Sequence, residues 1–300
     1  MPKTTKPTDK LSIVQFIHPG REFQVRNKNG KYPVSVPWVG GDCSDSGGHS
    51  RRFVSHEGDY IDVNGRLKTA QLAFWTEWEA CTVADVFPVA KGDRLAAHWV
   101  HTVKTPLVKR PGPQNTDPCA FGLTFKYCCC QQTENGPMRN LSPGSLVLFG
   151  SHMDNRFFLD TVFVIADKGV PYDASDAKQL AGLGTSKEYR RLSLDRLLNG
   201  KLTFYRGKPF RSAAKEEPYS FVPARLFSSD DARCGERFAL DLATLNKILP
   251  KDSKQFSQNL NQKFKPIEVE PETILRVWNH IVEEVRKDGF VPGVHFVWPQ

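Results

Sequence analysis

Short alternating runs of apolar and polar residues, punctuated by glycine and proline, run along most of the chain. Period-two alternation of this kind predicts strands, because successive side chains in a strand point to opposite faces. Residues 12–17 (SIVQFI) read as an apolar strand. Residues 51–79 read as two strands joined by a turn at Asn64-Gly65, a dipeptide suited to a tight hairpin. Residues 145–166 (SLVLFGSHMDNRFFLDTVFVIA) predict a second hairpin around Asp154-Asn155. In its second strand, Phe157, Leu159, Thr161, Phe163 and Ile165 are expected to share one face, and Phe158, Asp160, Val162 and Val164 the other. Both faces are largely apolar, as in a central strand covered on both sides.

Beyond residue 167 the pattern is more polar. A short basic helix is expected over 186–199, and strands over 201–207 (KLTFYRG) and 219–226 (YSFVPARL). One long helix stands out. It opens at Pro271, a residue favoured at the first helical position, and Ile274, Leu275, Trp278, Ile281, Val282 and Val285 recur with a period near 3.6. Gly289 suits the closing turn, after which FVPGVHFVW returns as a strand. The expected fold is α+β, a curved antiparallel or mixed β-sheet core, partly barrel-like, with few helices, including one over 271–288. Its expected division is a β-rich half, 1–168, and an α+β half, 169–300, packed as one compact unit.

The strand LAFWTEWEA, residues 72–80, carries the most unusual alternation. Trp75, Glu77 and Glu79 fall on one face, with Leu72, Phe74, Thr76 and Trp78 on the other. Acids two residues apart on a strand lie about 6.5–7 Å apart at their Cα atoms, near the spacing used to cleave glycosidic bonds. The face is either a solvated acidic surface or one wall of a pocket that stacks a flat ring beside Trp75 and uses a carboxylate on it.

Charge narrows the partners. The net charge is +8, with basic clusters at Arg51-Arg52, Lys104 to Arg110 and Lys187 to Arg191. Such a balance favours contact with nucleic acid over a merely basic surface. No apolar run approaches the roughly 20 residues that cross a bilayer, and the polar start MPKTTKPTDK lacks a signal-like apolar core. Seven cysteines, three of them adjacent at Cys128, Cys129 and Cys130, fit a reducing cytosol rather than a disulfide framework. In a strand only Cys128 and Cys130 of the three would share a side. No zinc spacing is present, so neither a metal nor a cofactor is expected.

Three further groups could carry chemistry. Asp160 is a carboxylate in an apolar strand, which implies either use in catalysis or pairing with an arginine or backbone amides. The segment RPGPQNTDPCAFG, residues 110–122, presents Asn115, Thr116 and Asp117 together. An Asx-turn ahead of Pro118 is the favoured reading there, and an amide reading a base edge the other. His49, Arg51 and Arg52 emerge from a glycine-serine loop (GGDCSDSGGH), where phosphate contact is preferred to a general-base role for His49. Walker, Rossmann and nucleophile-elbow motifs are missing.

In chain order, HSRRF, FWTEWE, QNTDPCAFG, and LFGS followed by FFLDTVFVI resemble the motifs of a group of uncharacterised bacterial proteins. LSPGSLVLFGS with FFLDTVFVIAD is similar to the hairpin of PUA, ASCH and EVE domains, a likeness that implies a small barrel holding RNA or a modified base. A looser resemblance, to prokaryotic glycosylases that excise modified bases from phage DNA, implies antiviral defence. None of these likenesses transfers a catalytic residue. The resulting expectation is a cytoplasmic protein acting on nucleic acid, DNA rather than RNA, that accepts an extruded base and hydrolyses its N-glycosidic bond without a metal. Trp75 or Trp78 would stack the base, Asn115 would read its edge, and Arg51, Arg52, Lys109 and Arg110 would hold phosphates. One of Glu77, Glu79, Asp117 or Asp160 would be the catalytic acid. The alternatives are a non-catalytic reader of modified bases or RNA, and a hydrolase of free nucleotides.

Overall fold

The computed structural model describes residues 11–17, 49–79, 83–89, 95–101, 115–133, 135–153, 156–194, 200–214, 217–228, 233, 236–251, 255–257 and 265–299. The glycine-serine loop before His49 and the basic run carrying Lys109 and Arg110 lie outside these residues. The strands, in chain order, are β1 (Leu11–Ile17), β2 (His49–Ile61), β3 (Leu67–Glu79), β4 (Val83–Val89), β5 (Leu95–His101), β6 (Lys126–Tyr127), β7 (Leu146–Met153), β8 (Arg156–Val164), β9 (Val170–Asp173), β10 (Lys201–Arg206), β11 (Val222–Leu226), β12 (Ala239–Leu240), β13 (Ile267–Val269) and β14 (Val291–Phe296). The helices are α1 (Ala177–Gly182), α2 (Lys187–Tyr189), which runs on into a π-helical turn (Arg190–Leu194), α3 (Leu242–Ile248) and α4 (Pro271–Lys287).

The fold is α+β with a barrel at its centre. β2 and β3 form a long antiparallel hairpin turning through Gly65, whose φ is +75°. β3 pairs with β11, β11 with β14, and β14 returns to pair with β2, closing a four-strand ring. Closure needs β14 to approach β2 closely, and Gly58 permits it: a Cβ there would lie 2.4 Å from the His295 carbonyl oxygen. Leu72, Phe74 and Trp78 of β3 join Val54, Val222, Ala224 and Phe296 in one core.

Beside the barrel lies a mixed five-strand sheet, ordered β12-β8-β7-β1-β13, with β1 parallel to β7. The expected hairpin is present as β7 and β8, but its faces are not those that strict alternation gives. Phe149 pairs with Thr161 and Gly150 with Leu159, so Asp160 is an extra residue without a partner across the ladder. A bulge of one residue inverts the facing of everything beyond it. Phe157 and Leu159 therefore join the second core with Val162 and Val164, whereas Phe163 and Ile165 face the first.

α4 covers the second core largely as its periodicity predicts, except that Leu275 is only half-buried and Val277 is buried instead. Ile274, Val277, Trp278, Ile281, Val282 and Val285 are buried, and the Trp278 indole donates to the Tyr219 carbonyl at 2.9 Å. Burial of each large apolar side chain is worth roughly 1.5–3 kcal/mol, so tertiary contact rather than propensity holds this helix. Gly289, at φ +78°, ends it. Among the described residues no helix is long and apolar enough to cross a membrane.

His56 of β2 lies inside the first core, its ring 5.3 Å from Phe121 and 6.4 Å from Phe74. Burial lowers its pKa from 6.5 to about 4. The unfolded chain thus takes up this proton near its ordinary pKa, and the folded chain only near 4. Between those values the unfolded state binds more protons, so stability falls as pH falls. The depression corresponds to about 3 kcal/mol of stability, present above pH 6.5 and lost by about pH 4. Urea unfolding across that window is expected to show the loss, and His56→Phe to reduce the slope. An equal slope in the variant would assign the loss to other groups.

Candidate functional site

Residues 115–122 pack onto the first core, with Cys119, Ala120 and Phe121 buried in it. The Thr116 amide donates to the Glu77 carbonyl at 3.1 Å, extending the hairpin beyond β3. The Asn115 side chain donates to the same carbonyl at 2.8 Å and to Thr76 Oγ1 at 3.0 Å. Downstream, Cys119 and Lys126 exchange backbone hydrogen bonds of 2.8 and 2.9 Å, and the Gly122 amide reaches the Phe296 carbonyl at 2.8 Å. Phe121 enters the core beside His56 and Trp78, with ring centroids 5.3 and 5.7 Å away.

Asp117 organises the other side of this segment. Its Oδ1 accepts from the Cys128 amide at 3.0 Å and the Cys128 thiol at 3.3 Å. Its Oδ2 accepts from the amides of Cys129 and Cys130 at 2.6 and 2.8 Å. The favoured Asx-turn is therefore not formed, because the carboxylate serves a turn eleven to thirteen residues away. Nor do the three cysteines alternate: the strand ends at Tyr127, and the chain then curls about Asp117. One oxygen of Asp117 and the thiols of Cys129 and Cys130 lie within 4.8 Å of one another. Coordination does not suit the set, because the carboxylate's roughly four acceptor positions are occupied. Burial pushes the Cys128 thiol up to about 12, and the Cys129 thiol is raised by hydrogen bonds to Cys128 and Cys130 and by burial.

On the opposite face of β3, Trp75 and Glu77 are only 6% and 4% exposed, so this is no solvated strand surface. Arg237 covers Trp75, its guanidinium 5.6 Å from the indole and 4.8 Å from the Phe158 ring. The same group donates to Asp160 Oδ1 at 2.8 Å and Ser151 Oγ at 2.6 Å. Asp160 and Trp75 thus meet at Arg237, while Asn115, Thr76 and Asp117 gather elsewhere. Trp78 is fully buried. With Trp75, Trp78, Glu77, Asn115 and Asp117 each under 10% exposed, none of them offers a surface on which a base could stack. For His49, Arg51, Arg52 and Glu79 the backbone places His49 opposite Glu79, Arg51 opposite Glu77 and Arg52 opposite Thr76.

An accessible site lies at the far end of the same motif. A cavity of about 300 Å³ opens between the 122–126 turn, the 183–186 loop and the C-terminal Trp298. Trp298 fits there because residue 122 has no side chain: a Cβ on Gly122 would lie 2.7 Å from the indole, and φ at this position is +84°. Lys126 Nζ sits 4.9 Å from the Trp298 ring and 5.3 Å from that of Tyr189, with burial lowering its pKa. Arg206 lies over Phe204 at 5.4 Å and donates to the Leu183 carbonyl at 3.1 Å. Thr185 is among the lining residues, and its hydroxyl oxygen is buried without a hydrogen-bond partner among the described residues. No carboxylate is among the described lining residues.

A second cavity, of about 260 Å³, shares Leu123 and Thr124 with the first. Leu123 is 65% exposed and forms the ridge between them. Asp59 stands in the second cavity, accepting from Thr69 Oγ1 at 2.7 Å, with His295 Nδ1 at 3.3 Å and Arg211 at 3.4 Å.

Sequence reasoning missed Trp298, Lys126, Arg206, Arg237 and the Asp59–His295 pair. Two signals pointed toward them: a glycine ending a distinctive motif implies a close neighbour, and a carboxylate in an apolar strand implies a cation. Comparison with family models, with curated proteins and with solved structures returns no match for this chain.

Proposed function

We propose that the protein binds nucleic acid by taking one extruded base into the Trp298 cavity. The observation that carries this reading is the make-up of that cavity: an indole wall and two cationic side chains, one of them paired with Asp167 outside the lining at 3.4 Å, with no acid among the described lining residues. An aromatic wall accepts any base by its π-face, and flanking cations favour the phosphates that accompany it. A volume of about 300 Å³ is at the small end for ligand sites and suits a single base.

The surroundings agree in sign. The 183–186 loop leads directly into the basic stretch Lys187 to Arg191 that the sequence singled out, and Arg191 donates to the Pro299 carbonyl at 2.7 Å, beside Trp298. These residues take over the phosphate-holding role expected of a basic cluster. Recognition of the base, not its excision, is what this cavity supplies by itself.

Trp298→Ala is expected to weaken retention of single-stranded DNA by about 5- to 150-fold, the equivalent of one stacked base. Fluorescence anisotropy with oligonucleotides carrying ordinary and modified bases, at two salt concentrations, would measure it, with Trp298→Phe retaining most of the affinity. Retention by Trp298→Ala equal to that of the unmodified protein would remove the cavity from the interface. Free nucleotide binding as tight as polymer binding, with little salt dependence, would replace this reading with that of a small-molecule site.

A further inference from the structure

We propose that Asp59 and His295 form a water-activating pair that hydrolyses the N-glycosidic bond of the DNA nucleotide whose base occupies the Trp298 cavity. The proposal rests on the base-binding reading above and adds a reaction to it.

The pair has the parts of a general base and its orienter. His295 and Asp59 are cross-strand partners on β14 and β2, so rigid barrel strands hold both. Asp59 Oδ2 faces His295 Nδ1 at 3.3 Å, and its other oxygen is fixed by Thr69 Oγ1 at 2.7 Å. A carboxylate accepts, so Nδ1 carries a proton; in the neutral ring Nε2 then holds the lone pair. No hydrogen bond to Nε2 occurs among the described residues. A purely structural cross-strand pair needs no cavity, yet this one lines a space of about 260 Å³ that adjoins the base site across Leu123 and Thr124. Arg211, with two-thirds of its side chain exposed, stands at Asp59 and supplies a cation for a neighbouring phosphate. It and Asp59 are the charged groups facing His295 among the described residues lining this cavity.

In the reaction, His295 Nε2 takes a proton from water as the water oxygen bonds to the anomeric carbon. The bond from that carbon to the base nitrogen breaks, and its electron pair leaves with the base. The proton on His295 returns through solvent to the released base. Water and the nucleotide are consumed, and free base and an abasic site are formed. Asp59 is a positioning residue, acting through the imidazole it orients. A positioned general base of this kind contributes roughly 10²- to 10⁴-fold.

The test uses the full chain and single-stranded DNA oligonucleotides carrying the four ordinary bases, uracil, hypoxanthine, or oxidised and hydroxymethylated bases. Retention is read by anisotropy and free base by mass spectrometry on the same samples. The expected result is release from at least one oligonucleotide. His295→Ala should lower it about 100-fold or more with retention kept, and added imidazole should restore it. His295→Gln, which keeps a polar side chain on β14, should lose release equally and resist rescue. Asp59→Asn should lower the release rate while leaving retention and folding intact. Retention without release in the unmodified protein, or undiminished release in His295→Ala, overturns the proposal and leaves the base-binding reading standing. Release confined to the same sequences made as RNA overturns the assignment to DNA. No retention of any oligonucleotide overturns the base-binding reading itself.

Discussion

Asp117→Ala is expected to lower the unfolding free energy by roughly 3–9 kcal/mol. Asp117 is 2% exposed and accepts three consecutive backbone amides, those of Cys128, Cys129 and Cys130. Each amide left without an acceptor costs about 1–3 kcal/mol, and together they define the turn after β6. Urea denaturation would give the loss. Reaction of the Cys129 and Cys130 thiols with an aromatic disulfide should also quicken, because the turn that holds them half-buried opens. Asp117→Asn keeps one oxygen acceptor and should cost less than the alanine variant. A catalytic carboxylate would behave otherwise: the asparagine variant would lose base release at unchanged stability.

The same segment shows how far the sequence was legible. Its composition marked it as a special loop, and the structure packs residues 115–122 of it onto the first core. The individual roles were not readable, because they depend on partners far along the chain. Asn115 serves Thr76 and the Glu77 carbonyl, Asp117 serves residues 128–130, and Gly122 makes room for Trp298. Local periodicity carries no information about such pairings. Where structure is local, the reading held: α4, the hairpin through Gly65 and the hairpin of β7 with β8 all stand where their patterns placed them.

Alternation misled in two places, each for a physical reason. In β8 the extra residue Asp160 shifts the register, so the faces beyond it are exchanged. In β3 the alternation is real, but Trp75 and Glu77 on the acid-bearing side are buried as well, with Arg237 over Trp75. The pattern tryptophan–glutamate looked like a wet or functional surface because exposure cannot be read from one strand. What covers a face is decided by topology, here by the segment around Arg237 reaching Trp75.

Arg237→Ala is expected to be among the most damaging single changes, at about 3–5 kcal/mol. Arg237 and Asp160 have side chains only 8% and 10% exposed, at 2.8 Å. Removing the guanidinium leaves a nearly buried carboxylate without that cation. It also strips the cover from Trp75 and Phe158 and a 2.6 Å hydrogen bond from Ser151. Asp160→Ala should be costly for the converse reason, since it leaves the cation in the same place. The double variant Arg237→Met with Asp160→Ala should recover part of the loss, because apolar replacement of a buried pair is often tolerated where removal of one partner is not. A double-mutant cycle by urea denaturation would measure the coupling. Strong coupling at unchanged base release in Asp160→Asn would identify Asp160 as the bulged residue that anchors the sheet to the barrel hairpin through Arg237. Loss of release in Asp160→Asn at full stability would instead restore it as a catalytic acid, and would move the reaction from the His295 cavity to the covered face of β3.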